Sequence, residues 1–374
     1  MKALVLSEYK KLDLVDWPKP EPAEDELLIR VQACGICGSD VHGYDGSTGR
    51  RRPPIIMGHE AAGIVEAVGS AVKDFSSGGR VTFDSTVFCG KCFYCRRGQV
   101  NLCEDREVIG ASAEELRSDG ARREFRRHGA FAEYMTVPAR IAYKLPDDMP
   151  FENAALIEAV SIAVHAMSLT PVALDDTVVV VGAGMIGLLT LQVALLAGAG
   201  RVFVFDVDET RLKRARDLGA TDTFISKKRD PLPEIRLPDY DPFSEIRSLN
   251  CDLLSEIRSL TSGRGADIVL ECVGMPDSVI LAIEAVRKGG TVTLVGNDTA
   301  GVEIGLQSVV TRQIRLQGSC ASSGEYPACI SLISRGAIQV EKLITDMASL
   351  EKGAEWFRRL YSGEKGHLKV VLQP

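Results

Sequence analysis

The sequence lacks both a long apolar run and an excess of basic residues, and these two absences exclude several classes of protein. Its first residues, MKALVLSEYKKLDLVDW, contain no apolar core of signal-peptide length, and charged residues or glycines interrupt the longer apolar stretches. The formal net charge is −7, whereas a nucleic-acid surface needs a net basic face. We therefore expect a cytoplasmic protein with no nucleic-acid or membrane partner and a small molecule as its substrate.

The composition predicts a folded protein of two domains. The chain has 374 residues, of which 45% are hydrophobic and 25% charged, and these are ordinary values for soluble globular proteins. Its ten cysteines occur without an export signal, so a disulfide framework is not expected. Thiolate ligands for metal ions are the better interpretation of these cysteines.

The pattern of apolar runs predicts a mainly β part followed by an α/β part. Up to about residue 150, β-branched runs such as LLIRVQA and RVTF alternate with glycine and proline. From about residue 151, strands such as TVVVVG alternate with helical segments such as MIGLLTLQVALLAG, which is typical of a parallel sheet wrapped by helices. We assign residues 1–155 and 318–374 to the first domain and residues 156–317 to the second.

Four cysteines lie close together in the stretch CGKCFYCRRGQVNLC. We call Cys89, Cys92, Cys95 and Cys103 the cysteine cluster. Four thiolates that converge on one tetrahedral centre form a closed structural zinc site, which leaves no position for substrate. An iron–sulfur cluster also takes four thiolates and remains an alternative at this point.

A second set of potential ligands leaves a coordination position open. Cys37 lies in CGICGSDVH, and His59 and Glu60 lie in GHEAAG; we call these three residues the open cluster. A thiolate, an imidazole and a carboxylate leave room for water or substrate, as a catalytic zinc requires.

A glycine pattern follows the strand VVVV and opens a helix, which is the context of a dinucleotide-binding fingerprint. Gly182 allows a tight turn, Gly184 lets a pyrophosphate approach the backbone, and Gly187 allows close packing. Asp206 ends the next strand and can bind both hydroxyls of a ribose. A carboxylate at that place repels a 2′-phosphate, so we expect NAD; Arg211 is the nearby residue that works against this preference.

These motifs together resemble the medium-chain dehydrogenase/reductase family. GHEAAGIVEAVG resembles its zinc signature, CGICGSDVH its first zinc-ligand loop, and the cysteine cluster its structural-zinc lobe. The resemblance implies a GroES-like, mainly β catalytic domain and a Rossmann domain. Glu158, in AALIEAVSIAVHA, resembles the glutamate of sorbitol dehydrogenases, which points to the polyol branch.

The resemblance also implies roles for single residues. Glu158 would either bind the catalytic zinc or contact its bound water, Asp40 would orient His59, and Ser39 and His42 would form a proton relay. Val295, Gly296 and Ser319 match positions at the nicotinamide end of the cofactor. The fingerprint and the resemblance together place these residues around NAD: Gly182, Gly184, Ile186, Gly187, Asp206, Arg211, Val295, Gly296 and Ser319.

The expected activity is hydride transfer between NAD and a polyol or small secondary alcohol, in a homodimer or homotetramer with one catalytic and one structural zinc. Threonine, butanediol and polyol-phosphate dehydrogenases share the same zinc residues and remain alternatives. Gly43 stands where sorbitol dehydrogenases have a tyrosine, and small residues in QGSCASSGEY replace their arginine–tyrosine pair. A zinc module without activity, or a lyase or epimerase with tightly held NAD, are the rival hypotheses.

Two segments look inserted. Residues 111–127 mix both charges, so we expect a solvated loop or surface helix; the alternative is a basic patch for a phosphorylated substrate. In residues 227–260 the sequence SEIRSL occurs at Ser244 and again at Ser255, and this 11-residue period suits a helix face. Prolines keep a partial earlier copy at 234–236 out of a regular helix.

Overall fold

The computed structural model describes residues 1–116, 122–229 and 242–374. Its strands are β1 (Lys2–Glu8), β2 (Lys11–Asp16), β3 (Glu26–Gly35), β4 (Ile55–Ile56), β5 (Glu60–Val68), β6 (Arg80–Phe83), β7 (Thr86–Val87), β8 (Glu107–Val108), β9 (Ala111–Leu116), β10 (Arg122–Arg127), β11 (Tyr134–Pro138), β12 (Ala142–Lys144), β13 (Thr177–Val181), β14 (Arg201–Asp206), β15 (Asp222–Ile225), β16 (Ala266–Glu271), β17 (Val286–Leu294), β18 (Arg315–Gly318), β19 (Ile344–Ser349) and β20 (Lys369–Gln373).

Its helices are α1 (Gly38–Gly43), α2 (Phe151–Ala155), α3 (Ile157–Ser168), α4 (Met185–Leu196), α5 (Glu209–Asp217), α6 (Pro242–Leu249), α7 (Cys251–Leu260), α8 (Pro276–Ala285), α9 (Leu306–Thr311), α10 (Tyr326–Ser334) and α11 (Gly353–Tyr361). None of these helices is long and apolar enough to cross a bilayer.

The described residues divide into two compact units. The first unit comprises Met1–Ser161 and Ala321–Pro374, and the second comprises Ile162–Cys320. The end of the chain therefore belongs to the same unit as its beginning.

The first unit is built around a sheet with the strand order β12-β6-β5-β3-β20-β19, to which β11 adds by pairing with β3. Strands β3 and β5 are antiparallel, with Gly35 opposite Glu60, and β20 also pairs antiparallel with β3. This register brings the residues after β3, the start of β5 and the start of β20 to one end of the sheet. Buried apolar side chains from β1, β3, β5 and β20 form the core beneath it.

The second unit confirms the predicted doubly wound parallel sheet. Its six strands have the order β15-β14-β13-β16-β17-β18, and every neighbouring pair is parallel. All five residues of β13 are buried, as expected for a central strand with helices on both faces. The order runs outward in both directions from β13 and β16, so the chain reverses its direction of winding next to β13, where ligands bind in open α/β sheets.

The expectation of a loop or helix for residues 111–127 was wrong. Strands β9 and β10 pair antiparallel as a hairpin, and residues 117–121 at its tip lie outside the described residues. Ala111, Ala113 and Phe125 are buried in a small apolar cluster with Val108. The alternation of these few apolar residues with charged ones has the period of a strand, and the high charge of the segment masked it.

Three charged side chains of this hairpin are paired. Arg123 and Arg127 both contact Glu107, Arg127 through a 2.5 Å contact from Nε, and Glu114 contacts Arg52 at 3.0 Å. Two arginines in the described part of the hairpin are thus engaged by a carboxylate, and the alternative of a basic patch for a phosphorylated substrate stays a prediction.

The two SEIRSL copies form consecutive helices, in agreement with the helical period. The first copy lies in α6 and the second in α7, and the equivalent residues Ile246 and Ile257 are both buried. Both isoleucines belong to the apolar core of the second unit. The partial copy at 234–236 lies outside the described residues.

Candidate active site

The structure brings the three residues of the open cluster together. The ligand atoms of Cys37, His59 and Glu60 all lie within 4.8 Å of one another. Cys37 directly precedes α1, His59 precedes β5, and Glu60 is the first residue of β5, so the β3–β5 register places all three at one end of the sheet. One thiolate, one imidazole and one carboxylate with an open position fit a catalytic zinc.

Glu60 is fixed from two sides. A Cβ added at Gly35 would lie 2.4 Å from Glu60 Oε2, so the glycine opposite leaves space for the carboxylate. Lys369, the first residue of β20, donates from Nζ to Glu60 Oε2 at 2.5 Å and to the carbonyl of Ile36 at 3.2 Å. Both members of this ion pair are buried, so each depends on the other for a counter-charge.

His59 faces a buried carboxylate with one of its ring nitrogens. Its Nδ1 lies 3.4 Å from Asp40 Oδ1, which is an ion-pair distance without the alignment of a hydrogen bond. Since Nδ1 faces Asp40, Nε2 is the nitrogen left for a metal. Burial works to raise the pKa of Asp40, but His59 and Arg51 outweigh it and hold that pKa at about 2.

Glu158 lies near the start of α3 and is buried, but its carboxylate is not part of the three-ligand group. Ser85 donates from Oγ to Glu158 Oε1 at 3.0 Å. Burial raises the pKa of Glu158 above its ordinary value. The carboxylate thus accepts a hydrogen bond from a hydroxyl of the chain and lies outside the group of three ligands within 4.8 Å of one another.

The expected proton-relay residues both lie on α1 and are exposed. Ser39 Oγ donates to Cys37 Sγ at 3.3 Å, which places this hydroxyl at the edge of the open cluster. His42 lies three residues further along the same helix, and its carbonyl accepts a hydrogen bond from Ser47.

The cysteine cluster has the dimensions of a four-thiolate metal site. The Sγ atoms of Cys92 and Cys95 are 3.5 Å apart and those of Cys89 and Cys95 are 4.0 Å apart. A tetrahedral zinc with 2.3 Å bonds gives sulfur–sulfur distances of about 3.8 Å. The amide of Cys89 donates to Cys103 Sγ at 3.2 Å, and amide donors lower the pKa of Cys92 to about 6, whereas burial raises the pKa of Cys103 to about 12. Such donors favour thiolates, which are the form that binds metal.

The glycines of the fingerprint occupy positions that demand glycine. Gly182 follows β13 with a φ of +97°, and a Cβ on Gly187 would lie 1.7 Å from the carbonyl oxygen of Gly182. Gly184 precedes the first residue of α4, and a Cβ added there would meet nothing within 4 Å. The backbone therefore leaves open space at a helix N-terminus, where amide groups face a phosphate in dinucleotide-binding proteins. Ile186 lies in the first turn of the same helix.

Asp206 lies at the end of β14, beside this turn. Its Oδ2 accepts a hydrogen bond from the amide of Ala183 at 2.6 Å, and its Oδ1 accepts one from Asp208 at 2.9 Å. Arg211 Nη1 is 4.0 Å from Asp206 Oδ2, and the arginine side chain is 47% exposed. The carboxylate is thus anchored on the glycine turn, and each oxygen keeps acceptor capacity for a ribose hydroxyl.

The three residues expected at the nicotinamide end lie at the carboxyl ends of neighbouring strands. Val295 and Gly296 follow β17, and their amides donate to the carbonyl of Glu271 at 2.9 and 3.0 Å. Ser319 follows β18, and its Oγ is buried without a hydrogen-bond partner. An unpaired buried hydroxyl at the ligand-binding edge of the sheet fits a group that a bound cofactor would satisfy.

Comparison with known proteins identifies the family of the chain. The sequence model described as "Alcohol dehydrogenase GroES-like domain" matches residues 23–147, and that described as "Zinc-binding dehydrogenase" matches residues 240–335. A sorbitol dehydrogenase of Bacillus subtilis is 31% identical over 100% of this chain and 97% of its own length. The chain belongs to the zinc-dependent medium-chain dehydrogenases.

Two solved structures of other such dehydrogenases align over the whole chain. A zinc-binding dehydrogenase of Sinorhizobium meliloti, bound to NADP, has a TM-score of 0.83 and 31% identity, with 100% of this chain and 99% of that one covered. Galactitol-1-phosphate dehydrogenase of Escherichia coli has a TM-score of 0.81 and 27% identity, with 100% of both chains covered. The expected family, its polyol branch and the GroES-like and Rossmann fold classes are confirmed.

Three residues that contact the candidate site of this medium-chain dehydrogenase could not be predicted from the sequence. Arg51 lies in the run RRRPP, which resembles an exposed basic segment, and Lys369 lies 309 residues from its partner Glu60. Ser85 lies between two strands as one more small polar residue. None of them belongs to a motif, so only the folded register identifies them.

Proposed function

We propose that this dehydrogenase transfers hydride between NAD and a polyol or small secondary alcohol, with the corresponding ketone as the product. The single observation that carries the proposal is the open cluster, in which Cys37, His59 and Glu60 offer three ligand atoms within 4.8 Å and leave a position for substrate. The reaction type follows from membership of the zinc-dependent medium-chain dehydrogenases, which transfer hydride to or from a nicotinamide cofactor.

The open cluster would hold the catalytic zinc. When bound, a zinc ion supplies Lewis acidity that lowers the pKa of a substrate hydroxyl and stabilises the negative charge left on its oxygen. Asp40 keeps the ring of His59 oriented so that Nε2 is free for the metal. Lys369 holds the Glu60 carboxylate in place through the hydrogen bond from Nζ to Oε2.

The chain also provides a route for the proton. Ser39 lies within hydrogen-bond distance of Cys37 Sγ, at the edge of the open cluster, and we assign it the first transfer of the hydroxyl proton. His42 lies on the exposed side of α1 and is the group that would pass the proton to water. Glu158, held by Ser85, would contact the substrate hydroxyl or a water there rather than bind the metal directly.

The second unit would bind the cofactor, and Asp206 makes NAD the proposed one. The space at Gly184 would receive the pyrophosphate, and the Asp206 carboxylate would accept hydrogen bonds from the adenosine ribose and repel a 2′-phosphate. One relative was solved with NADP bound, so the preference for NAD needs its own test. We expect Asp206→Ala to lower the ratio of kcat/KM for NAD over NADP by about tenfold or more, because the variant loses both the contact with the ribose and the repulsion of the 2′-phosphate. A tenfold change corresponds to about 1.4 kcal/mol. An unchanged ratio would contradict the ribose role.

Among the possible substrates we favour a neutral polyol over a phosphorylated one. Glu158 is a buried carboxylate near the open cluster, and the arginines Arg123 and Arg127 of the hairpin are engaged by Glu107. A threonine or butanediol dehydrogenase on the same zinc residues is the second candidate.

The cysteine cluster would hold a structural zinc, because its four thiolates leave no position for substrate. We also propose a cytoplasmic homodimer or homotetramer with domains bounded near residues 155 and 317. Analytical ultracentrifugation of the full chain tests the assembly.

The experiment that tests the function is NADH production by the zinc-loaded protein across polyols, polyol phosphates, diols and threonine. We expect the highest kcat/KM with an unphosphorylated polyol or diol, and none after the catalytic zinc is removed. NAD binding without turnover of any alcohol in the panel would reject the proposed reaction.

A further inference from the structure

Arg51 lies behind the open cluster with its guanidinium buried. Its Nη2 and Nε donate to Asp40 Oδ1 at 3.1 and 3.3 Å, and Nη2 also lies 3.5 Å from Ser39 Oγ. Nη1 donates to the carbonyl of Arg50 at 3.2 Å. The side chain is 6% exposed and the Asp40 side chain is fully buried, so this contact lies in the interior of the first unit.

The positive charge of Arg51 balances the negative charge of the buried Asp40 carboxylate. A histidine that binds a metal is neutral, so His59 in the loaded protein would give Asp40 no counter-charge. A buried carboxylate without a positive partner is strongly destabilising. A guanidinium is always charged in proteins, and that of Arg51 is aimed at the same oxygen that faces His59.

Gly43 leaves the space that Arg51 needs. A Cβ added at Gly43 would lie 2.4 Å from Arg51 Cγ and 3.2 Å from Arg51 Cβ. Any side chain at position 43 would therefore push the arginine away from Asp40. The glycine at position 43 and the arginine at position 51 thus fit each other in this chain.

We propose that Arg51 is a positioning residue of the catalytic metal site. It supplies the counter-charge for the buried Asp40 carboxylate and holds that carboxylate against His59 Nδ1, and it contacts Ser39, the neighbour of Cys37. This role rests on the proposed function, because it requires a metal in the open cluster.

The neighbouring Arg52 provides a matched control. Its guanidinium contacts Glu114 at 3.0 Å, and the two side chains are 40% and 42% exposed. Loss of an exposed pair of this kind has little effect on a folded protein. The variants Arg51→Ala and Arg52→Ala thus remove the same side chain from adjacent positions, one buried at the site and one at the surface.

The test measures how fast each zinc of the full-length protein is lost to excess chelator, with metal content followed by mass spectrometry. Zinc in the cysteine cluster serves as the internal control for folding. We expect Arg51→Ala to lose the catalytic zinc about tenfold faster or more, as is usual when a group that orients a ligand is removed. Arg51→Lys should recover part of the retention, Gly43→Ala should shift it in the same direction as Arg51→Ala, and Arg52→Ala should match the wild type.

Cobalt substitution supplies a second readout, because the visible spectrum of Co²⁺ reports the geometry of the ligands around it. We expect a changed spectrum from the open cluster in Arg51→Ala and an unchanged one in Arg52→Ala. A wild-type protein that holds zinc only in the cysteine cluster would reject the proposed function itself.

A wild type with two zincs, together with an Arg51→Ala variant that keeps both at wild-type rates, would instead overturn the role of Arg51 alone. If Arg51→Ala loses both zincs through unfolding, Arg51→Lys and Gly43→Ala decide the matter. Selective loss of the catalytic zinc in these two variants supports the role, and wild-type retention in both rejects it.

Discussion

The cysteine cluster and the open cluster lie in the same unit, yet different parts of the chain hold them. All four residues of the cysteine cluster come from positions 89–103, in a segment of short turns, and of the four cysteines only Cys103 is buried. The open cluster takes its ligands from positions 37, 59 and 60, and Arg51 and Lys369 stand behind them. We expect the first site to depend on a bound metal for its structure, whereas the residues of the second are held in place by the sheet and by buried ion pairs.

This difference has a consequence for stability. Four thiolates in an irregular segment have few packing interactions to replace a lost metal, and binding of a structural zinc contributes directly to folding. In the open cluster, His59 and Glu60 are buried against core strands, so the fold should persist without the ion. Buried charges and one buried hydrogen bond support the open cluster, and the effects expected on their removal differ in size.

The largest effect is expected at the Lys369–Glu60 pair. Lys369→Met leaves Glu60 buried without its counter-charge, and breaking a buried pair in this way costs about 3 to 5 kcal/mol of unfolding free energy. Urea denaturation of the metal-free protein measures it. The double variant Lys369→Met, Glu60→Gln is the control, since it removes both charges. A single variant as stable as the wild type would show that the pair does not support the site.

A pH-dependent effect is expected at Asp84, which precedes the Ser85 that holds Glu158. Burial raises the pKa of Asp84 from 3.8 to about 7. The folded state therefore keeps the proton more readily than the unfolded chain, so the carboxyl costs nothing below pH 3.8 and becomes increasingly destabilising as the pH rises to about 7.

Asp84→Asn removes that penalty. We expect its advantage in unfolding free energy over the wild type to grow by roughly 2 to 3 kcal/mol between about pH 5 and pH 8, at 1.36 kcal/mol per pKa unit. Urea titrations of both proteins at the two pH values provide the comparison. An advantage that stays constant with pH would mean that Asp84 does not titrate in this range.

The smallest effect is expected at Ser85. Ser85→Ala removes the donor to Glu158 and leaves a buried carboxylate oxygen without its partner, which costs about 1 to 3 kcal/mol. Ser85→Thr keeps a hydroxyl and serves as the matched variant. Equal stability and equal kcat in Ser85→Ala and the wild type would remove Ser85 from the account of the site.

The residues of the two sites differ in how well the sequence predicts them. Residues close in the chain were found directly: the four cysteines, the fingerprint glycines and Asp206 at the end of the next strand. Each of these patterns is set by local geometry, because turns and strand ends fix their spacing.

Contacts that belong to no motif could not be predicted. Lys369 meets Glu60 because β20 adds to β3, and Arg51 reaches Asp40 through space that Gly43 leaves open. The hairpin at 111–127 was misjudged because its apolar residues are few and its many charges suggested a solvated segment; Phe125 is the side chain that anchors it. Tertiary pairing decides in all these cases, and it leaves no local pattern.

The measurement that tests the central claim most directly compares Cys37→Ser and Cys95→Ser in zinc content, unfolding midpoint and NADH production. The account predicts that Cys37→Ser keeps one zinc, unfolds at the denaturant midpoint of the wild type and loses about a thousandfold or more in kcat/KM, as expected when a catalytic metal is lost. Cys95→Ser should lose the zinc of the cysteine cluster and unfold at a clearly lower denaturant concentration. An equal loss of stability in both variants would contradict the division into one catalytic and one structural metal site.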